Sequence, residues 1–163
     1  MKIEKVAVIG AGVMGSGIAA HIANAGIPVT LLDIVPKKSV NRNIIAESAV
    51  KKMLKPVKMG SPTPLMHSEN AKLIATGNIE DHLSKIKDAD LIVEVVLEKL
   101  EIKQDVFKKI DEVRKKGSIV ASNTSTIPRK HLVEGMSKTF SSDFIITHFF
   151  NPPRYLRLLE IVA

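Results

Sequence analysis

The sequence contains no cysteine and no tryptophan, and only one tyrosine and five phenylalanines in 163 residues. Without cysteine there is no disulfide and no thiolate-held metal, so a reducing cytoplasm is the expected location and no metal site is expected. Aromatic residues make up 4% of the chain, and no run of lysines is interleaved with them. The stacking platform of a nucleic-acid binder is therefore missing. Also missing is any apolar run near the roughly 20 residues that cross a bilayer. The opening MKIEKVAVIGAG lacks the shape of a signal peptide. Neither a nucleic acid nor a membrane is expected as a partner.

What is present describes an ordinary globular domain, 45% hydrophobic and 25% charged, long enough for one core spanning residues 1–163. The net charge of +7 suits a small polyanion, such as a nucleotide or a coenzyme A diphosphate, as well as it suits a nucleic acid.

Short apolar runs alternate with helical patterns. KVAVIG (5–10), PVTLLD (28–33), KLIATG (72–77), DLIVEVV (90–96), SIVASN (118–123), FIITHFF (144–150) and LRLLEIVA (156–163) read as strands. Helices are expected over VMGSGIAAHIANAG (13–26), 40–54, IEDHLSKIKDA (79–89) and 99–116. Residues 56–70, with three prolines and a glycine, read as a long surface loop. Strands apolar on both faces, alternating with helices, mean a mostly parallel sheet covered on both sides.

GAGVMG places Gly10, Gly12 and Gly15 at the spacing of a dinucleotide-binding turn, directly after a strand and opening a helix. The first glycine permits the turn, the second lets a pyrophosphate approach, and the third lets helix and strand pack closely. The amides of Val13 and Met14 open the helix and face the phosphates with its positive end. Asp33 ends the next strand, where a carboxylate accepts hydrogen bonds from ribose hydroxyls. Its charge repels a 2′-phosphate and no arginine follows closely, so NAD is favoured over NADP, although Lys37 and Lys38 lie nearby. The doubly wound Rossmann α/β fold is the leading candidate.

Three further groups stand out. His148 and Glu160 meet if FIITH and LEIVA form an antiparallel pair through the NPPRYLRL turn, as a packed pair or as a base with its orienting acid. SNTST (122–126) sits at the carboxyl end of a strand, either lining a ligand site or capping the helix near Pro128. Glu94 and Glu98 flank the end of DLIVEVV, with Lys103 a turn into the next helix, on a solvated face or in a site.

The set GAGVMGSGIA, Asp33, VEVVLEKLEIK, ASNTST and THFFNPP resembles the NAD-binding half of the 3-hydroxyacyl-CoA dehydrogenase family, along essentially the whole chain. THFFNPPRYLRLLEIV and the long loop look like the branch often fused to an enoyl-CoA hydratase. The resemblance implies that His148 is the general base and that Glu160 orients it. It puts Ser125 near the reacting oxygen and nicotinamide, and Asn151 on the substrate side. Glu98 and Lys103 match NAD contacts, which makes Glu94 the lesser candidate, while Ser48 and Lys55, on one face of the 40–54 helix, match contacts to coenzyme A. It also implies an acyl-CoA substrate and a helical C-terminal domain that closes over it. LLEIVA ends without that domain, so the chain is expected to be one domain of a longer enzyme. Alone, it is expected to bind NAD with little turnover and to self-associate; the enzyme is expected to be a homo-oligomer. A non-catalytic nucleotide module, and a dehydrogenase of a hydroxy acid without coenzyme A, such as gulonate, are the competing readings.

Overall fold

The computed structural model describes residues 2–56 and 63–163. Seven strands form one sheet: β1 (Val6–Ile9), β2 (Val29–Asp33), β3 (Ile74–Asn78), β4 (Leu91–Glu94), β5 (Ile119–Ser122), β6 (Phe144–Phe149) and β7 (Leu159–Val162). Their spatial order is β3-β2-β1-β4-β5-β6-β7, all parallel except β7, which runs antiparallel to β6. This is the doubly wound Rossmann sheet with an added carboxyl-terminal strand.

The β1 run is apolar throughout because both of its faces are covered. Val6 and Val8 join one core with Ile18, Ala19 and Leu31, on the side of α1 (Val13–Asn24) and α2 (Ile44–Met53). Ala7 and Ile9 join the other with Phe107, Phe140 and Phe144. Those rings belong to α4 (Leu100–Val113), α6 (Lys138–Asp143) and β6, and pack with centroids 5.1–5.7 Å apart. The chain leaves β1 to one side and β4 to the other, which opens a crevice at their carboxyl ends, where such sheets take ligands.

Four expectations need correction. The helix read over 79–89 is a single turn, α3 (Ile79–His82), followed by a 3₁₀ stretch, Leu83–Ile86. The chain must return to β4 at once, and Ala89 N closes on Ile86 O at 2.9 Å. The helix read over 40–54 starts only at Ile44. The short helix α6 has no counterpart among the expected helices; it is polar, and its one signal is Ser137, whose hydroxyl accepts from Phe140 N. Within the expected loop at 56–70, residues 57–62 lie outside the described residues. Its later part is no loose surface segment, because Leu65 is 2% exposed in the α1–α2 core. Asn24 fastens it there, accepting from Met66 N at 2.9 Å and donating to Pro64 O at 2.9 Å. Among the described residues, no helix is long and apolar enough to cross a membrane.

Asp90 ties the amino-terminal edge together. It accepts from Lys115 Nζ at 2.5 Å and from the amides of Glu4 and Lys5 at 2.8 and 2.9 Å. The Lys115 bond, then the two amides, hold its carboxyl at about 2, below its ordinary 3.8. A lowered folded-state value adds stability above the unfolded value and loses it as pH falls through the folded one. Asp90→Asn is therefore expected to be less stable than the parent at neutral pH. The gap should close between pH 3.8 and about 2 in a series of thermal melts. A gap that stays constant across that window would contradict this role.

Candidate active site

The glycine turn follows β1 and leads into α1. Gly10 N donates to Leu32 O at 2.7 Å and Val95 N to Ile9 O at 2.8 Å, so β1, β2 and β4 end side by side. Gly12 caps α1 without a side chain, and the opening amides of the helix have no intrahelical partner. Asp33, at the end of β2, accepts from Ala11 N at 2.5 Å and Ile34 N at 2.7 Å, which fixes its carboxylate beside the turn.

β6 and β7 pair so that His148 stands directly opposite Glu160. His148 Nδ1 lies 2.8 Å from Glu160 Oε2, and the imidazole packs on Phe150 at 4.7 Å between centroids. With the carboxylate as acceptor, Nδ1 carries the proton and Nε2 is left with its lone pair. The antiparallel pairing expected from the sequence is realised. Phe149 N donates to Asn123 Oδ1 at 2.9 Å, fixing the end of β6 against β5.

Between these two halves lies a buried charge cluster. Lys103 is 1% exposed, and its ammonium donates to Glu94 Oε1 at 2.8 Å and lies 3.1 Å from Glu98 Oε2. Glu94 also accepts from Val96 N at 2.7 Å and Ser122 Oγ at 2.6 Å. Glu98 reaches the SNTST segment, accepting from Thr124 Oγ1 and, at 3.3 Å, from Ser125 N. Partial burial pushes the Glu98 carboxyl up, but the Thr124 hydroxyl and the Lys103 charge outweigh it and hold it below its ordinary value. Thr124 Oγ1 also accepts from Ile127 N at 3.1 Å, so the cap read for this segment closes a turn before the short helix α5 (Arg129–Leu132).

A cleft of about 470 Å³ joins the three parts. Gly12, Val13, Met14, Glu98, Lys103, Ser125, His148 and Asn151 all line it. Gly10 and Gly15 form the turn behind it, and Glu160 backs His148. Ser48 and Lys55 do not line it. Ser48 lies on α2, while Lys55 lies past the end of that helix, which stops at Met53.

The family model described as 3-hydroxyacyl-CoA dehydrogenase, NAD binding domain, matches residues 5–163. The chain belongs to this family. It is 50% identical over 162 residues to a probable 3-hydroxyacyl-CoA dehydrogenase of Deinococcus radiodurans, covering 99% of this chain and 46% of that protein. It is 51% identical over 174 residues to one from Bacillus subtilis, covering 98% of this chain and 22% of that one. The solved 3-hydroxybutyryl-CoA dehydrogenase of Escherichia coli superimposes with a TM-score of 0.80 at 28% identity, over 100% of this chain and 33% of that one. The chain thus spans less than half the length of these curated relatives.

The cofactor of this dehydrogenase domain is NAD, and the residues present fit it. A Cβ built on Gly12 meets nothing within 4 Å, so the backbone beside the free amides of α1 is open to a diphosphate. Each oxygen of Asp33 accepts one backbone bond and retains a lone pair for a ribose hydroxyl. The principal partner of Lys103 is Glu94, which the sequence spacing does not reveal. The acid and the lysine were both visible, but Ser122, which fixes the carboxylate, comes from another strand.

Proposed function

We propose that the chain is the cofactor-binding part of an NAD-dependent L-3-hydroxyacyl-CoA dehydrogenase acting in fatty acid β-oxidation. The observation that carries this reading is His148, with Nδ1 held by Glu160 at 2.8 Å and its ring at the NAD-side cleft. His148 Nε2 takes the proton of the substrate 3-hydroxyl. Glu160 accepts from Nδ1–H, fixes the tautomer, and stabilises the imidazolium that forms. NAD, when bound, supplies the ring carbon that accepts the hydride leaving C3. Ser125, three residues past β5, donates toward the reacting oxygen, and Asn151 orients the substrate side. The opening amides of α1, with Asp33, Glu98 and Lys103, hold the dinucleotide. Ser48 and Lys55 are the proposed contacts to coenzyme A, outside the cleft itself.

The rest of the longer protein, a helical domain, supplies the other wall of the acyl-CoA site and most of a homo-oligomer contact. The enzyme works in the cytoplasm. The test is NADH formation from 3-hydroxybutyryl-CoA by the full-length protein, compared with residues 1–163 alone. The full-length protein is expected to turn over and the isolated chain to bind NAD with little turnover. Free coenzyme A is expected to compete with substrate. Turnover of gulonate without inhibition by coenzyme A would move the reading to a hydroxy acid lacking the thioester.

A further inference from the structure

The cluster under the cleft holds one lysine and two carboxylates. Glu94 and Lys103 are 0% and 1% exposed, 2.8 Å apart, and every contact to the Glu94 carboxylate comes from a donor: Lys103, Val96 N and Ser122 Oγ. A buried charge is tolerated when it is paired and hydrogen-bonded in this way. Glu98 is the more distant partner at 3.1 Å, its side chain is 40% exposed, and it lines the cleft.

We propose that buried Glu94 neutralises Lys103 and leaves Glu98 as an uncompensated anion in the cleft, which tilts the site toward the oxidised, cationic form of its dinucleotide. The inference rests on the NAD reading above and adds a preference between the two redox forms. The nicotinamide ring carries a positive charge when oxidised and none when reduced, while the rest of the cofactor is unchanged. Glu98 lines the cleft with His148 and accepts from Ser125 N, so an anion there would separate the two forms, while glycine-turn contacts to the diphosphate would not. Partial burial works against ionisation of Glu98, but the Thr124 hydroxyl and Lys103 hold its carboxyl below the ordinary value, so the charge is present at neutral pH. If Glu94 were only a staple joining β4, β5 and α4, its loss would weaken both redox forms alike.

Calorimetric titration of NAD⁺ and of NADH, each into the parent protein and its variants, tests this. Glu98→Gln is expected to raise the ratio of the NAD⁺ to the NADH dissociation constant about fivefold at low salt, with the shift shrinking as salt is added. Glu94→Gln, at a residue with no exposed surface, is expected to move the ratio the same way, because Lys103 then compensates Glu98. Glu98→Asp keeps the charge and is expected to hold the ratio near that of the parent. Should Glu94→Gln not fold, the contrast between Glu98→Gln, which removes the charge, and Glu98→Asp, which keeps it, still tests the proposal. Equal weakening of both forms in Glu98→Gln, or a ratio shift in Glu98→Asp as large as that in Glu98→Gln, overturns the charge argument while the NAD reading stands. Failure of the parent to bind either form overturns both.

Discussion

Replacing His148 with alanine in the full-length enzyme is expected to lower turnover about 10³-fold while leaving the affinity for NAD unchanged. The split follows from where the side chain stands. His148 closes the β6 side of the cleft, across from the glycine turn and the free amides that would hold the dinucleotide, and is held there by β7 rather than by any part of the nucleotide site. Its Nδ1 is occupied by Glu160, so Nε2 is the atom left for proton transfer. Glu160→Gln is expected to fall between the parent and His148→Ala. A glutamine carbonyl still accepts from Nδ1–H and holds the tautomer, but the imidazolium formed during the reaction loses its counter-charge. Steady-state kinetics together with NADH titration separate the two effects. Undiminished turnover in His148→Ala would sink the assignment of the base. A loss of NAD affinity as large as the loss of turnover would mean that the ring supports the nucleotide site instead.

The pairing of His148 with Glu160 was legible in the sequence because antiparallel partners close in sequence leave few registers. Two apolar runs joined by NPPRYLRL can put the two side chains together in only a few ways, and the observed one is direct opposition. The strands were legible for a related reason: a run such as Val6–Ile9, buried on both faces, has no polar position to blur it. Glu94 was not legible. Besides the nearby Val96 N, its contacts come from Lys103, nine residues away on α4, and Ser122, twenty-eight residues away, and they form only once α4 and β5 are in place beside β4. Local spacing instead pointed to Glu98 and Lys103 as a pair, which exists but is the longer of the two contacts. Ser48 and Lys55 were legible only as a helical spacing: Ser48 lies on α2, and Lys55 follows its last residue by two positions, with Lys55 N bonded to Lys52 O at 3.0 Å.

Substitutions at two glycines of one turn are expected to fail in different ways. Gly15 lies in the first turn of α1, where a Cβ would stand 1.8 Å from Gly10 O and 2.9 Å from Gly10 C. Both atoms are backbone at the β1–α1 junction, so no flexible side chain can move aside. Gly10 itself adopts φ +108°, and a Cβ there would meet Val95 O at 2.4 Å, so the turn cannot retreat toward β4 either. Gly15→Ala is expected to cost about 3 kcal/mol or more of stability, read by denaturant unfolding, through overpacking and backbone displacement. Gly12 is different. It has φ −67°, which any residue adopts, and a Cβ there meets nothing within 4 Å. Gly12→Ala is expected to change stability by no more than about 1 kcal/mol, the weaker helix cap being its main effect. The added methyl would stand in the space that the diphosphate needs in order to reach the free amides of α1. NAD affinity is therefore expected to fall at least about tenfold in a protein that melts almost like the parent. The pair of variants separates the two duties of the motif, since Gly15 holds helix against strand and Gly12 keeps the approach to the helix open. Gly12→Ala binding NAD as tightly as the parent would show that the diphosphate does not lie against this turn. Gly15→Ala melting like the parent would show that the β1–α1 packing yields more readily than a contact between two backbones allows.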